Sequence, residues 1–213
     1  SHRIVGASTQ IAMPETGIDM VPDVGGSRIL AHAPGHAGEY LGLTGARIGP
    51  GDAIWAGFAD TYLPESEWPA LIERLAETGD AGVIAGQPRP EAPLAAMDLS
   101  AFAGGTVAQI TAALDAKGDE ASLKPLRRAS PLSMAATLEL VRAARHDASI
   151  RDSLAREMRF TARTTEFGDF LEGVRAQIID KDRNPQWRAD ASPAHVAFML
   201  ASLGKNEITW EDE

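Results

Sequence analysis

Residues 79–98 limit what this chain can fold into more than any other stretch. Gly79, Gly82, Gly86, Pro88, Pro90 and Pro93 fall within them. Each weakens a regular element, glycine by loosening the backbone and proline by withholding an N–H. The sequence predicts a loop or linker here. The flanks differ in pattern: residues 1–78 mix short strand and helix signals, whereas 99–213 carry the three- and four-residue apolar spacing of helices. The expected chain is mostly α-helical with a few short strands near its N-terminus, divided into 1–78, 79–98 and 99–213.

In the first part, Ile4-Val5 and Ile11-Ala12-Met13 favour extended backbone and flank the polar turn Ala7-Ser8-Thr9-Gln10. Two such strands are marginal alone, and their partners are expected upstream of Ser1. A helix is predicted across Gly25 to Leu43, with Gly35, Gly38 and Gly42 allowing close packing. Asp52 is expected to cap a short helix through Trp55, and the alternation over Gly57 to Leu63 predicts a strand. Ser66 is expected to cap a helix reaching about Thr78, with Leu71, Ile72 and Leu75 as its apolar stripe. In the second part, Val107, Ile110 and Leu114 mark one helix and residues 122–129 another. Ser130-Pro131 opens a longer one carrying Leu132, Ala136, Leu140 and Val141. A helix across 147–165 is expected to bury Ile150, Leu154 and Met158. One more is expected from Phe167 to Asp182, ended by Asn184-Pro185, and the acidic tail from Trp210 to Glu213 is expected to fray.

Composition excludes several function classes. The 213 residues can bury a sizeable core, as one large or two small domains. A net charge of −10 opposes nucleic acid or an anionic membrane as main partner, and no apolar run is long enough to span a bilayer. The absence of cysteine leaves no thiolate nucleophile or thiolate metal site and fits a reducing, cytoplasmic setting. His32 and His36 are four residues apart, but Pro34 between them breaks the helix that would align them, and no metal site is expected. A phosphorylated ligand needs only a local cationic patch, for which Arg127-Arg128 and Lys181 with Arg183 are candidates.

The chemistry is expected between Ile11 and Gly26. Glu15 and Asp23 stand eight residues apart among apolar neighbours, each directly after a proline that fixes the approach of the chain. Gly25-Gly26 leaves room for a tight turn. A rigidly mounted acid pair suits general acid/base or nucleophilic carboxylate chemistry. Spacing alone also allows Glu15 to be a solvated loop acid and Asp23 to be the N-cap of a helix starting at Val24.

The run Ala12-Met13-Pro14-Glu15-Thr16-Gly17-Ile18, then Pro22-Asp23-Val24-Gly25-Gly26, Gly38-Glu39-Tyr40-Leu41-Gly42-Leu43-Thr44-Gly45 and Ala56-Gly57-Phe58-Ala59-Asp60, resembles the enoyl-CoA hydratase/isomerase (crotonase) superfamily. Within it the chain looks like the 3-hydroxyisobutyryl-CoA hydrolases, through Ser130-Pro131-Leu132-Ser133, Phe170-Leu171-Glu172-Gly173-Val174-Arg175-Ala176, Ile179-Asp180-Lys181-Asp182 and Pro185-Gln186-Trp187.

The resemblance implies an α/β crotonase-like parent in which residues 1–78 are the later part of the core and carry the acid pair. It implies hydrolysis of a short β-hydroxyacyl-CoA thioester to the free acid and CoA, a step of valine breakdown. Glu15 would attack the thioester carbonyl or direct a water onto it, and Asp23 would bind the 3-hydroxyl. Both are thus catalytic and substrate-binding candidates. CoA enters as part of the substrate, its phosphates meeting Lys181 or Arg183, and no separate cofactor is expected. The family's backbone oxyanion donors precede the position of Ser1, so an N-terminal portion of the same protein is an expected partner. Self-association is a further expectation. The alternatives are an enoyl-CoA hydratase or isomerase, and an inactive helical assembly module lacking the oxyanion hole.

Overall fold

The computed structural model describes residues 2–210, so the expected fraying of the last three residues lies outside the described residues. The elements in order are β1 (Ile4–Val5), α1 (Gly26–Ala31), α2 (Ala37–Thr44), α3 (Pro50–Trp55), β2 (Thr61–Tyr62), α4 (Trp68–Thr78), α5 (Val107–Lys117), α6 (Glu120–Leu126), α7 (Pro131–Ala144), α8 (Ile150–Phe167), α9 (Phe170–Val174) and α10 (Pro193–Leu200). Short 3₁₀ turns join them, among them Glu15–Ile18. The chain is mostly helical with one small parallel sheet. Among the described residues no helix is long and apolar enough to cross a membrane.

Two compact units result, and neither is continuous in sequence. The first combines the chain up to Ala12 with Arg47–Asp98, and the second combines Met13–Ala46 with Leu99 onward. In the first, β1 lies parallel to β2, Ile4 beside Thr61 and Val5 beside Tyr62. The partner of β1 thus comes from inside the chain, from the strand expected over Gly57 to Leu63. The crossover that a parallel pair requires contains α3. At Ile11 the expected second strand reduces to a single antiparallel bridge with Ile48, because Pro14 soon turns the chain into a 3₁₀ helix. Residues 79–98 are tied to this unit: the Gln87 N–H donates to the Tyr62 carbonyl at 2.9 Å and the Leu94 N–H to Asp52 Oδ1 at 2.8 Å. Asp52 is therefore engaged across the unit, and Gly49 occupies the N-cap expected of it. A 3₁₀ turn over Glu65–Glu67 takes up Ser66, so α4 starts at Trp68; it buries Leu71 but leaves Ile72 exposed.

In the second unit α7 is the central helix. It packs against α1, α2, α8 and α10, burying Leu132, Ala136, Leu140 and Val141 as its spacing predicts. Ser130 caps it by accepting the Ser133 N–H, with Pro131 following at the first helical position. Leu43, Phe102, Ile110, Leu114 and Leu123 form a second apolar cluster, where Tyr40 meets Phe102 edge-on at 5.3 Å. The helix expected across Gly25 to Leu43 is two helices, α1 and α2, broken at Pro34. They approach so closely that a Cβ on Gly38 would lie 2.0 Å from the Leu30 carbonyl oxygen.

Two elements of this unit differ more deeply from expectation. Helix α8 turns Ser153, Glu157, Phe160 and Thr164 inward, while Ile150 and Met158 are 50% and 40% exposed. Polar groups occupy the buried face because each finds a hydrogen-bond partner there. The helix expected through Asp182 stops at Val174 and continues as a wide turn over Arg175–Ile179, closed by the Asp180 N–H on the Arg175 carbonyl. Arg175 binds Glu172, Asp180 and Asp182, so three carboxylates fold the chain back around one guanidinium. Helix α10 was not anticipated, although Ser192-Pro193 carries the same cap-and-proline signal as Ser130-Pro131.

Candidate active site

Both candidate acids lie in the second unit. Glu15 is the first residue of the 3₁₀ turn that follows Pro14, and its side chain is half-buried. Its Oε2 is buried without a hydrogen-bond partner among the described residues. Desolvation pushes the Glu15 carboxyl above its ordinary value, and the charge of Asp23 pushes it further the same way. Asp23 is itself partly buried and raised by desolvation, against the pull of its own backbone N–H. The structure therefore brings the two acids within electrostatic reach of each other in a poorly solvated setting. Each of them holds a proton more readily than an exposed carboxylate, chiefly through desolvation.

Asp23 caps no helix through its side chain. The helix starts two residues later than expected, at Gly26, with Gly25 at its N-cap and no side-chain cap bond. Gly25 has φ +86°, and Val24 before it has φ +56° while being 84% exposed. A β-branched residue in the left-handed region is strained, and nothing in the packing of so exposed a side chain offsets that strain. The turn is held from elsewhere. Oε2 of Glu157 accepts the Gly25 N–H at 2.8 Å, and its Oε1 accepts both the Ser27 N–H at 3.0 Å and the Ser27 hydroxyl.

The turn carrying Glu15 is closed by Asp19, also left-handed at φ 59°, whose N–H donates to the Glu15 carbonyl. Asp19 is 0% exposed. Its carboxylate accepts from the Ser130 hydroxyl, from Thr164 Oγ1 at 3.0 Å and from the Asp169 N–H. Burial pushes the Asp19 carboxyl upward and these donors pull it back, leaving it above its ordinary value. Sequence reasoning missed Asp19, Glu157 and Thr164. The signal for the last two was present: residues 153, 157, 160 and 164 share one helical face, on which three polar residues accompany a phenylalanine.

A cleft of about 290 Å³ opens beside the Glu15 turn, lined among others by Pro14, Thr16, Thr44, Lys124, Arg128 and Gln177. Lys124 and Arg128 stand one turn apart on α6 and just beyond its end, so an anion entering the cleft would meet both. Arg127 is instead paired with Glu120. Lys181 and Arg183 are exposed, both at positive φ in the segment after the wide turn, and neither lines the cleft. His32 Nδ1 is 2.7 Å from the Arg28 carbonyl, and the ring of His36 lies against Glu39. Among the described residues no group of three or more potential ligands is placed to hold a metal ion.

Two partly buried acids on neighbouring turns, braced by helices packed around α7, form a framework for carboxylate chemistry. Comparison with known proteins fixes its lineage. The chain belongs to the enoyl-CoA hydratase/isomerase family, which it matches over residues 1–198. It is 32% identical to a probable 3-hydroxyisobutyryl-CoA hydrolase of Arabidopsis thaliana, an alignment covering 99% of this chain and 62% of the relative. It also superposes with a TM-score of 0.91 on the crystal structure of an enoyl-CoA hydratase from Rhodobacter sphaeroides 2.4.1. That protein is 49% identical, and the match covers 98% of this chain and 64% of that one. A carnitinyl-CoA dehydratase from Mycobacterium thermoresistibile gives the same TM-score at 35% identity, with 100% and 65% covered. The chain thus spans somewhat under two thirds of the length of these relatives.

Proposed function

We propose that this chain carries the reactive acid pair of an acyl-CoA thioester hydrolase whose substrate is a short β-hydroxyacyl-CoA such as 3-hydroxyisobutyryl-CoA. The observation that carries this reading is Oε2 of Glu15, desolvated and unpartnered beside a second carboxyl. A carboxylate so placed is a stronger base than one in water. In one route it removes a proton from water as the water oxygen adds to the thioester carbonyl; the C–S bond then breaks and the thiol leaves with a proton. In the other it adds to the carbonyl itself, CoA leaves, and water hydrolyses the resulting anhydride. Asp23 holds the 3-hydroxyl in both. The CoA phosphates would be met by exposed cations, for which Arg128, Lys181 and Arg183 remain candidates and Lys124 joins them. Activity of this kind also needs N–H donors for the oxyanion that develops on the thioester oxygen.

The similarity at 49% identity to a protein described as an enoyl-CoA hydratase favours a second reading, water addition to an enoyl-CoA. The two are separated by supplying the intact protein with 3-hydroxyisobutyryl-CoA and crotonyl-CoA in parallel. Thiol release from the first, lost in Glu15→Gln, supports hydrolysis. Loss of the conjugated enoyl absorbance from the second without thiol release supports hydration.

A further inference from the structure

We propose that Glu157 is a positioning residue for Asp23: its carboxylate, reaching in from α8, holds the strained turn from which Asp23 projects. This rests on the reading of Glu15 and Asp23 as the reactive pair.

Glu157 is 1% exposed, and a carboxylate is among the most expensive groups to bury. Its placement needs a reason beyond filling space. All its bonds go to Asp23's own turn, through the N–H of Gly25 and the N–H and hydroxyl of Ser27. Those donors are what a loop entering a helix leaves unpaired, and here one distant side chain satisfies them in place of a local cap. Val24, between Asp23 and the first of these donors, lies at φ +56°. Without the clamp a β-branched residue would leave the left-handed region and carry Asp23 with it. Two helical turns further along the same face, about 10 Å away on an ideal helix, Thr164 donates to Asp19, which closes the turn of Glu15. Helix α8 therefore braces both acids from one side.

Glutamine at 157 keeps the volume but offers an acceptor at one end only. Whichever way it turns, its NH₂ faces either the Gly25 N–H or the Ser27 donors. The test is a double-mutant cycle in the intact protein, reading kcat and KM for thiol release from 3-hydroxyisobutyryl-CoA. Glu157→Gln is expected to lower kcat by about 30-fold, the scale of a sub-ångström to ångström misplacement, with KM changed less than about 3-fold. On the Asp23→Asn background the same substitution is expected to cost less than about 2-fold, because the group it positions is gone. Should Glu157→Gln not fold, Ser27→Ala removes the hydroxyl donor alone and is expected to lower kcat about 3-fold, again only when Asp23 is present. A loss that is equal on both backgrounds, or absent while Asp23→Asn cripples the enzyme, overturns the inference alone. An unimpaired Asp23→Asn overturns it together with the reading on which it rests.

Discussion

Helices α7 and α8 are neighbours in the second unit, yet they bury opposite kinds of face. Helix α7 turns Leu132, Ala136, Leu140 and Val141 inward, whereas α8 turns in Ser153, Glu157 and Thr164 around a single Phe160. Apolar burial is favourable wherever it occurs, so this stripe of α7 could pack on any matching surface, although Ser133 and Thr137 are buried on the same helix. The inward groups of α8 are tolerable only opposite particular donors and acceptors: Ser153 finds Asp147 just before its own helix, whereas the partners of Glu157 and Thr164 belong to the turns of Asp23 and Glu15. The first helix supplies the apolar core and, from its Ser130 cap, one donor to Asp19; the second supplies the bonds that reach the turns of both acids.

That contrast can be broken by substitution. The largest effect on stability is expected from Leu140→Ala in α7, a loss of about 2 to 5 kcal/mol from transfer and cavity formation, with kcat per folded molecule unchanged. Denaturant unfolding and active-site-normalised rates would show it, and a fall in kcat at full folding would blur the division between the two helices. Thr164→Val keeps the shape but leaves the Asp19 oxygens short of a donor, for an expected cost of about 1 to 3 kcal/mol. It is also expected to lower kcat severalfold, because the turn of Glu15 loosens; unchanged kcat would mean that Asp19 serves stability alone. The smallest effect is expected from Met158→Gln on the outer face of α8, within about 0.5 kcal/mol of the parent. A larger loss there would show the apolar stripe buried in the working protein.

The same pair of helices explains how much was legible beforehand. Spacing alone located α5, α6 and α7, and for α5 and α7 the buried residues Ile110, Leu114, Leu132, Ala136, Leu140 and Val141 as well, because an apolar face needs no partner of defined chemistry. It inverted α8, taking Ile150 and Met158 for the core side, since a polar face becomes buried only through groups remote in sequence: Gly25 and Ser27 for Glu157, Asp19 for Thr164. Glu15 and Asp23 stood out through their flanking prolines. The closing role of Asp19 did not, because a left-handed aspartate cannot be told from an ordinary loop acid by its neighbours. The pairing of β1 with β2 is a long-range event across more than fifty residues, and short strands carry no record of it.

Whether Glu15 works as a desolvated base under the influence of Asp23 is tested most directly by the pH dependence of kcat/KM. In the intact parent the acid limb is expected above the ordinary glutamate value of 4.5, because burial and the Asp23 charge both disfavour ionisation. In Asp23→Asn that charge is gone and ionisation of Glu15 becomes easier, so the limb of the residual activity is expected to move to lower pH. A parent limb at or below 4.5 that stays in place in Asp23→Asn would contradict the coupled pair and, with it, the assignment of Glu15 as the reacting group.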